Sequence, residues 1–104
     1  MTPTIGRIVH YTITADEAKQ INNRRRDADA HSASKRHTGY VTHAGNEAEA
    51  GQTFPLLITR VWGDEPGAAV NGQIFLDGND TLWVTSATEG DGERHYQWPQ
   101  RTNS

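Results

Sequence analysis

The chain has no cysteine, one methionine and two phenylalanines in 104 residues. Without thiols it forms neither a disulfide nor a thiolate metal site. Hydrophobic residues make up only 34% of it, which is thin for a monomer of one small core. The composition therefore favours self-association, with apolar surface covered between subunits. No apolar run approaches the roughly 20 residues a membrane-spanning helix needs. The start MTPTIGRIV lacks a signal-peptide pattern, so a cytoplasmic location is expected.

The net charge is −3 but uneven: residues 1–45 carry seven Lys/Arg against four Asp/Glu, and residues 46–104 three against nine. The two halves can attract each other within or between chains, and a basic patch for an anion is the alternative. An overall negative chain with its basic residues on one element disfavours nucleic acid.

The stretch from Phe54 to Trp98 organises the rest. FPLLITRVW, VNGQIFLD, TLWVTSAT and RHYQW read as strands, separated by GDEPGAA, GND and EGDGE, which carry the Gly, Asn, Asp and Pro of turns. GND is expected as a tight hairpin loop and EGDGE as a longer one. Alternation puts Leu57, Thr59 and Val61 on one face, with Leu56, Ile58, Arg60 and Trp62 on the other; Leu82, Val84 and Ser86 oppose Trp83 and Thr85. Ahead of this block, Gly6–Ile13 is a first strand, with Val9, Tyr11 and Ile13 facing away from Ile8 and His10. Thr14 and Glu17 form a capping box, opening a helix from Ala15 to Ser34 or Lys35 with a narrow apolar stripe of Ala18, Ile21 and Ala28. A short strand is expected at Tyr40–His43 and a frayed tail at 101–104.

These elements predict one α+β domain over residues 1–100: a small antiparallel β-barrel or strongly bent sheet, SH3-like, with one helix (about 15–35) inserted after the first strand. A flat antiparallel sheet with a helix packed on it is the alternative.

Catalytic chemistry finds little footing. The five histidines (His10, His31, His37, His43, His95) show no HExxH or HxH spacing, so no metal is expected. Ser86 lies in TSAT, without a G-x-S-x-G elbow. Asp77, Asp80, Glu89, Asp91 and Glu93 fall in or beside loops, where solvated turn carboxylates are the ordinary explanation. GND and EGDGE are acidic and precede no helix, unlike phosphate loops. No cofactor is implied.

One combination stands out. Arg60 and Trp62 sit side by side on a strand face, with Trp83, Tyr96 and His10 expected on neighbouring strands and Arg24, Arg25 and Arg26 spare on the helix. Aromatic planes with a guanidinium suit a nucleobase and a phosphate. The plainer reading makes the tryptophans the core of a small barrel.

GRIVHYTIT, FPLLITRVWGD, VNGQIFLDGNDTLWVTSATEGDGE and HYQWP together resemble a family of small proteins from actinobacteriophages and their hosts, over nearly the whole chain. That resemblance implies a phage or prophage setting and no mechanism. The spacing of Asp77, Gly78, Trp83, Ser86 and Trp98 is loosely similar to the C-terminal part of one family of phage anti-defence sponges, which sequester nucleotide messengers of Thoeris and CBASS systems. The expectation is therefore a non-enzymatic, homo-oligomeric protein that sequesters a small anionic ligand of nucleotide type. Two alternatives stand beside it: an adaptor for a host or virion protein, and single-stranded nucleic-acid binding.

Overall fold

In the computed structural model of the chain, residues 1–34 and 44–100 are described, with 27–34 as helix backbone only. Five strands form a closed barrel in the order β1 (Ile8–Thr12), β2 (Thr53–Val61), β3 (Val70–Phe75), β4 (Thr81–Glu89), β5 (His95–Gln97). Helix α1 (Ala15–Ser34) follows β1. The architecture is a small SH3-like α+β barrel with an inserted helix. The expected strand at Tyr40–His43 and the 101–104 tail lie outside the described residues.

The alternation in β1 holds: Val9 and Tyr11 are fully buried and Ile8 and His10 exposed. With Ile13 they join Leu56, Ile58, Ile74, Leu82, Val84 and Tyr96 in one core. Each such aliphatic side chain contributes about 1.5–3 kcal/mol on leaving water. The capping box forms as read. The Glu17 amide donates to Thr14 Oγ1 at 3.1 Å and the Thr14 amide to Glu17 Oε1 at 2.9 Å. Ala18 and Ile21 then enter the core from α1.

Two bulges break the simple alternation. The β2–β3 register shifts between Ile58 and Arg60, so Thr59 takes an extra position and the face changes behind it. Leu56 and Ile58 are therefore buried while Arg60 and Trp62 turn outward, and Val61 rather than Trp62 packs on the core. The second shift lies opposite Asn71, where Val70 pairs with Ala87 but Gly72 with Val84. Ser86, expected to share a face with Leu82 and Val84, is exposed at φ 54°, and Ala87 takes the inward place.

The EGDGE segment is not a hairpin loop. β5 lies parallel to β4, with Thr88 opposite His95 and Glu89 opposite Tyr96, so the barrel is mixed rather than antiparallel. Positive φ at Gly92 (89°) and Arg94 (72°) lets the chain shift sideways and resume its direction. The remaining strand pairs, including β1 with β5, are antiparallel.

The return from α1 is pinned where Gly45 meets Gly78 in an isolated bridge. A Cβ on Gly45 would lie 2.6 Å from the Gly78 Cα and also against the Asp77 carbonyl oxygen. Both glycines are required by this close main-chain approach, more than by the turns they suggested.

Candidate functional site

The eight residues singled out from sequence separate into four places. Arg24 and Arg25 are structural. The Arg25 side chain is buried, donating to Asp80 Oδ1 at 2.9 Å, to Asp80 Oδ2 at 3.3 Å and to the Asn46 carbonyl. Arg24 donates to Asp80 Oδ2 at 3.1 Å and to the Thr81 carbonyl at 2.8 Å. The pair therefore fastens α1 to the β3–β4 loop and is not spare. Asp80 is not the solvated turn carboxylate its loop position suggests but is buried between them. Burial alone would raise its pKa, but the hydrogen bonds and charges of Arg25 and Arg24 outweigh that and hold it below the ordinary 3.8. Arg26 is exposed and donates to Asn23 Oδ1 at 3.3 Å.

Tyr96 is wholly inside. It has no exposed surface, and its hydroxyl donates to the Ala68 carbonyl at 2.8 Å. It cannot stack on a ligand. Trp98 packs edge-on against it at 6.5 Å, and Arg7 lies 5.1 Å from the Trp98 ring centre.

Arg60 and Trp62 do come together. The guanidinium stacks 4.0 Å from the Trp62 ring centre, and the indole N–H donates to Asn71 Oδ1 at 3.0 Å. That oxygen also accepts the Ser86 amide at 2.8 Å. Buried Asn71 thus ties the second bulge to the tryptophan, a residue that stays 53% exposed. Asn71 was missed from sequence, although an Asn inside a strand-like run is itself a signal, being depleted there.

Trp83 lies elsewhere. It opposes Gln73, which opposes Leu57; Trp62 is five residues beyond Leu57. At about 3.3 Å per residue that is roughly 17 Å along the sheet, plus two strands across. No single small ligand spans the two tryptophans, so the expected pocket of Trp62, Trp83, Tyr96 and Arg60 does not assemble.

The register builds a different surface. Ile8, Leu57, Gln73 and Trp83 form one row across four strands of the outer face. The adjacent row has His10 opposite Pro55 and Phe75 opposite Thr81. One step along the β2–β3 ladder from Leu56 and Ile74 brings Pro55 beside Phe75. Ile8, Phe75 and Trp83 are 52%, 45% and 63% exposed. The alternation that hides Val9, Leu56, Ile74 and Leu82 thus presents a second apolar layer to the outside.

A cluster at the start of α1 completes the inventory. The Tyr11 hydroxyl donates to both Glu17 oxygens at 2.9 Å, with Arg94 adjoining. Burial first, and then the Glu17 carboxylate, push this phenol well above its ordinary 10; burial and Glu89 raise Tyr96 as well. Folding therefore favours the protonated phenols, and that contribution is complete below pH 10 and lost as pH rises above it. Melting temperature is expected to fall progressively above about pH 10, and less steeply in a Tyr11→Phe variant. An equal fall in the variant would contradict this origin.

Among the described residues no group of three or more His, Asp or Glu is placed to hold a metal ion, and no helix is long and apolar enough to cross a membrane. Comparison of the chain with protein-family models, curated proteins and solved structures finds no match.

Proposed function

We propose that this protein is a non-enzymatic binding module that docks a polypeptide partner on the outer face of its barrel. The observation that carries the reading is the ordered apolar face of Ile8, Pro55, Leu57, Phe75 and Trp83. A chain with so few large hydrophobic residues places several of the largest in water, in register, around one patch. Exposed apolar surface concentrated this way marks interaction sites, and aromatic side chains supply most of the energy at such interfaces. The partner is a host or virion protein if the chain works in the phage setting its sequence resembles.

The test is affinity capture with the wild type and an Ile8→Glu/Phe75→Glu double variant. Both positions face solvent, so the fold should persist. The wild type is expected to retain a stoichiometric polypeptide, and the variant to lose at least about tenfold of it, as two charges are desolvated without partners. Equal retention by both would defeat the reading.

A second reading rests on Trp62. Its plane is fixed by Asn71 and stacked on Arg60, an arrangement that suits a planar anionic ligand such as a nucleotide. Sequestration would then use this half-site, completed by another subunit if the protein is a homo-oligomer. Titration of tryptophan fluorescence with nucleotides tests it: quenching that is lost in both Trp62→Phe and Arg60→Ala supports it, and quenching unchanged in Trp62→Phe, or none by any nucleotide, rejects it.

A further inference from the structure

The strand edge beside α1 carries a more specific inference, which rests on the proposed docking of a polypeptide. β5 pairs with β4 only at Thr88 and Glu89, so among the described residues the first half of β4 has β3 on one side and no strand on the other. The phase of the β3–β4 ladder fixes what that free edge presents. The Leu76 amide donates to the Asp80 carbonyl, and Ile74 opposes Leu82 two residues further on. Hydrogen-bonded pairs alternate in an antiparallel ladder, so Asp80, Leu82 and Val84 face β3. Thr81 and Trp83, which lie between them, direct N–H and C=O away from it. Arg24 verifies the phase by reaching the outward Thr81 carbonyl from α1. The main chain of Trp83 has no such partner among the described residues.

Beside this edge lies a cleft of about 470 Å³ between the start of α1 and β4, whose charged lining residues are Asp16, Glu17 and Arg94, with Gln20, Trp83 and Thr85 beside them. An unpaired strand edge with a helix opposite it is the geometry used for capturing an extended peptide by strand addition. Its charge selects the occupant. Glu17 is committed to Tyr11 and Thr14, and Arg94, the one cation lining the cleft among the described residues, is engaged with Tyr11 in that same cluster. Asp16 is exposed and makes no ion pair among the described residues. A carboxylate that lines the same cleft as a mostly exposed indole suits a lysine or arginine, through an ion pair and a cation–π contact.

We infer that the groove between α1 and β4 binds an extended segment of a partner protein as an added strand, with a basic side chain of that segment between Trp83 and Asp16. The outer apolar face and the groove meet at Trp83, so the added strand extends the docking surface by one strand.

The experiment uses the whole chain and heptapeptides selected on it from a random library, then synthesised. In the free chain the Trp83 amide is expected to exchange rapidly with solvent despite its mid-strand position. With peptide bound it should exchange at least about tenfold more slowly. The selected sequences should share Lys or Arg, and Asp16→Lys, or N-methylation of alternate peptide amides, should each weaken binding about tenfold. A Trp83 amide already protected in the free chain overturns the inference, and so does protection that appears only at high protein concentration, which would place a second copy on the edge. Peptides that tolerate N-methylation and perturb Ile8 and Phe75 but not the Trp83 amide overturn the groove and leave the outer-face reading standing. No selected peptide, together with equal capture by wild type and Ile8→Glu/Phe75→Glu, overturns both.

Discussion

Replacing Asp80 with alanine is expected to lower stability by about 3–5 kcal/mol, the usual result of leaving a buried charge without its counter-ion. In a domain of this size that is a fall in melting temperature of at least about 12 °C. Arg25 is the reason. Its side chain is 9% exposed and holds Asp80, whose own side chain is 1% exposed, at 2.9 Å; the alanine variant buries a guanidinium that cannot lose its proton. An Asp80→Leu/Arg25→Leu double variant should recover part of the loss, because it removes the two most buried charges and leaves only the more exposed Arg24 without its partner. The acid arm of the pH profile carries the same signature. The Asp80 carboxyl is held below its ordinary value, so the unfolded chain takes up a proton at higher pH than the folded one. Its contribution is complete above about pH 4 and lost as pH falls further. A loss under about 1 kcal/mol in Asp80→Ala would return this residue to the solvated carboxylate its loop position suggested.

Tyr96→Ala is expected to cost about 3–5 kcal/mol, through lost burial and the cavity left at the centre of the barrel. Tyr96→Phe should cost about 1–3 kcal/mol, since it leaves the Ala68 carbonyl without its donor. Denaturant unfolding of both variants measures the pair. Tyr96→Phe should bind any partner as the wild type does, because the ring is inaccessible; weakened binding without lost stability would contradict the buried position.

These two residues show where sequence reading succeeds and where it stops. The first strand was legible because Val9, Tyr11 and Ile13 alternate with residues that tolerate water. The helix start was legible because Thr14 and Glu17 satisfy each other within four residues. Both signals are local. The Arg25–Asp80 pair joins positions 55 apart, and nothing at either position distinguishes a buried partner from a spare charge. The bulges at Thr59 and Ser86 each insert a residue, and a one-residue slip exchanges the faces of everything beyond it. Arg60 and Trp62 were therefore correctly paired with each other but wrongly grouped with Leu56 and Ile58. Tyr96 was the converse case: its strand was found, but β5 is only three residues long and its direction relative to β4 could not be read from EGDGE. The outer apolar rows depend on the registers of three strand pairs at once, which no local pattern encodes.

Native mass spectrometry of the protein purified from cells that express it tests the docking claim most directly. The account predicts a discrete additional mass of polypeptide size, absent from the Ile8→Glu/Phe75→Glu variant. A retained mass of nucleotide size that survives in that variant and disappears in Arg60→Ala would contradict it, and would move the functional site to Trp62.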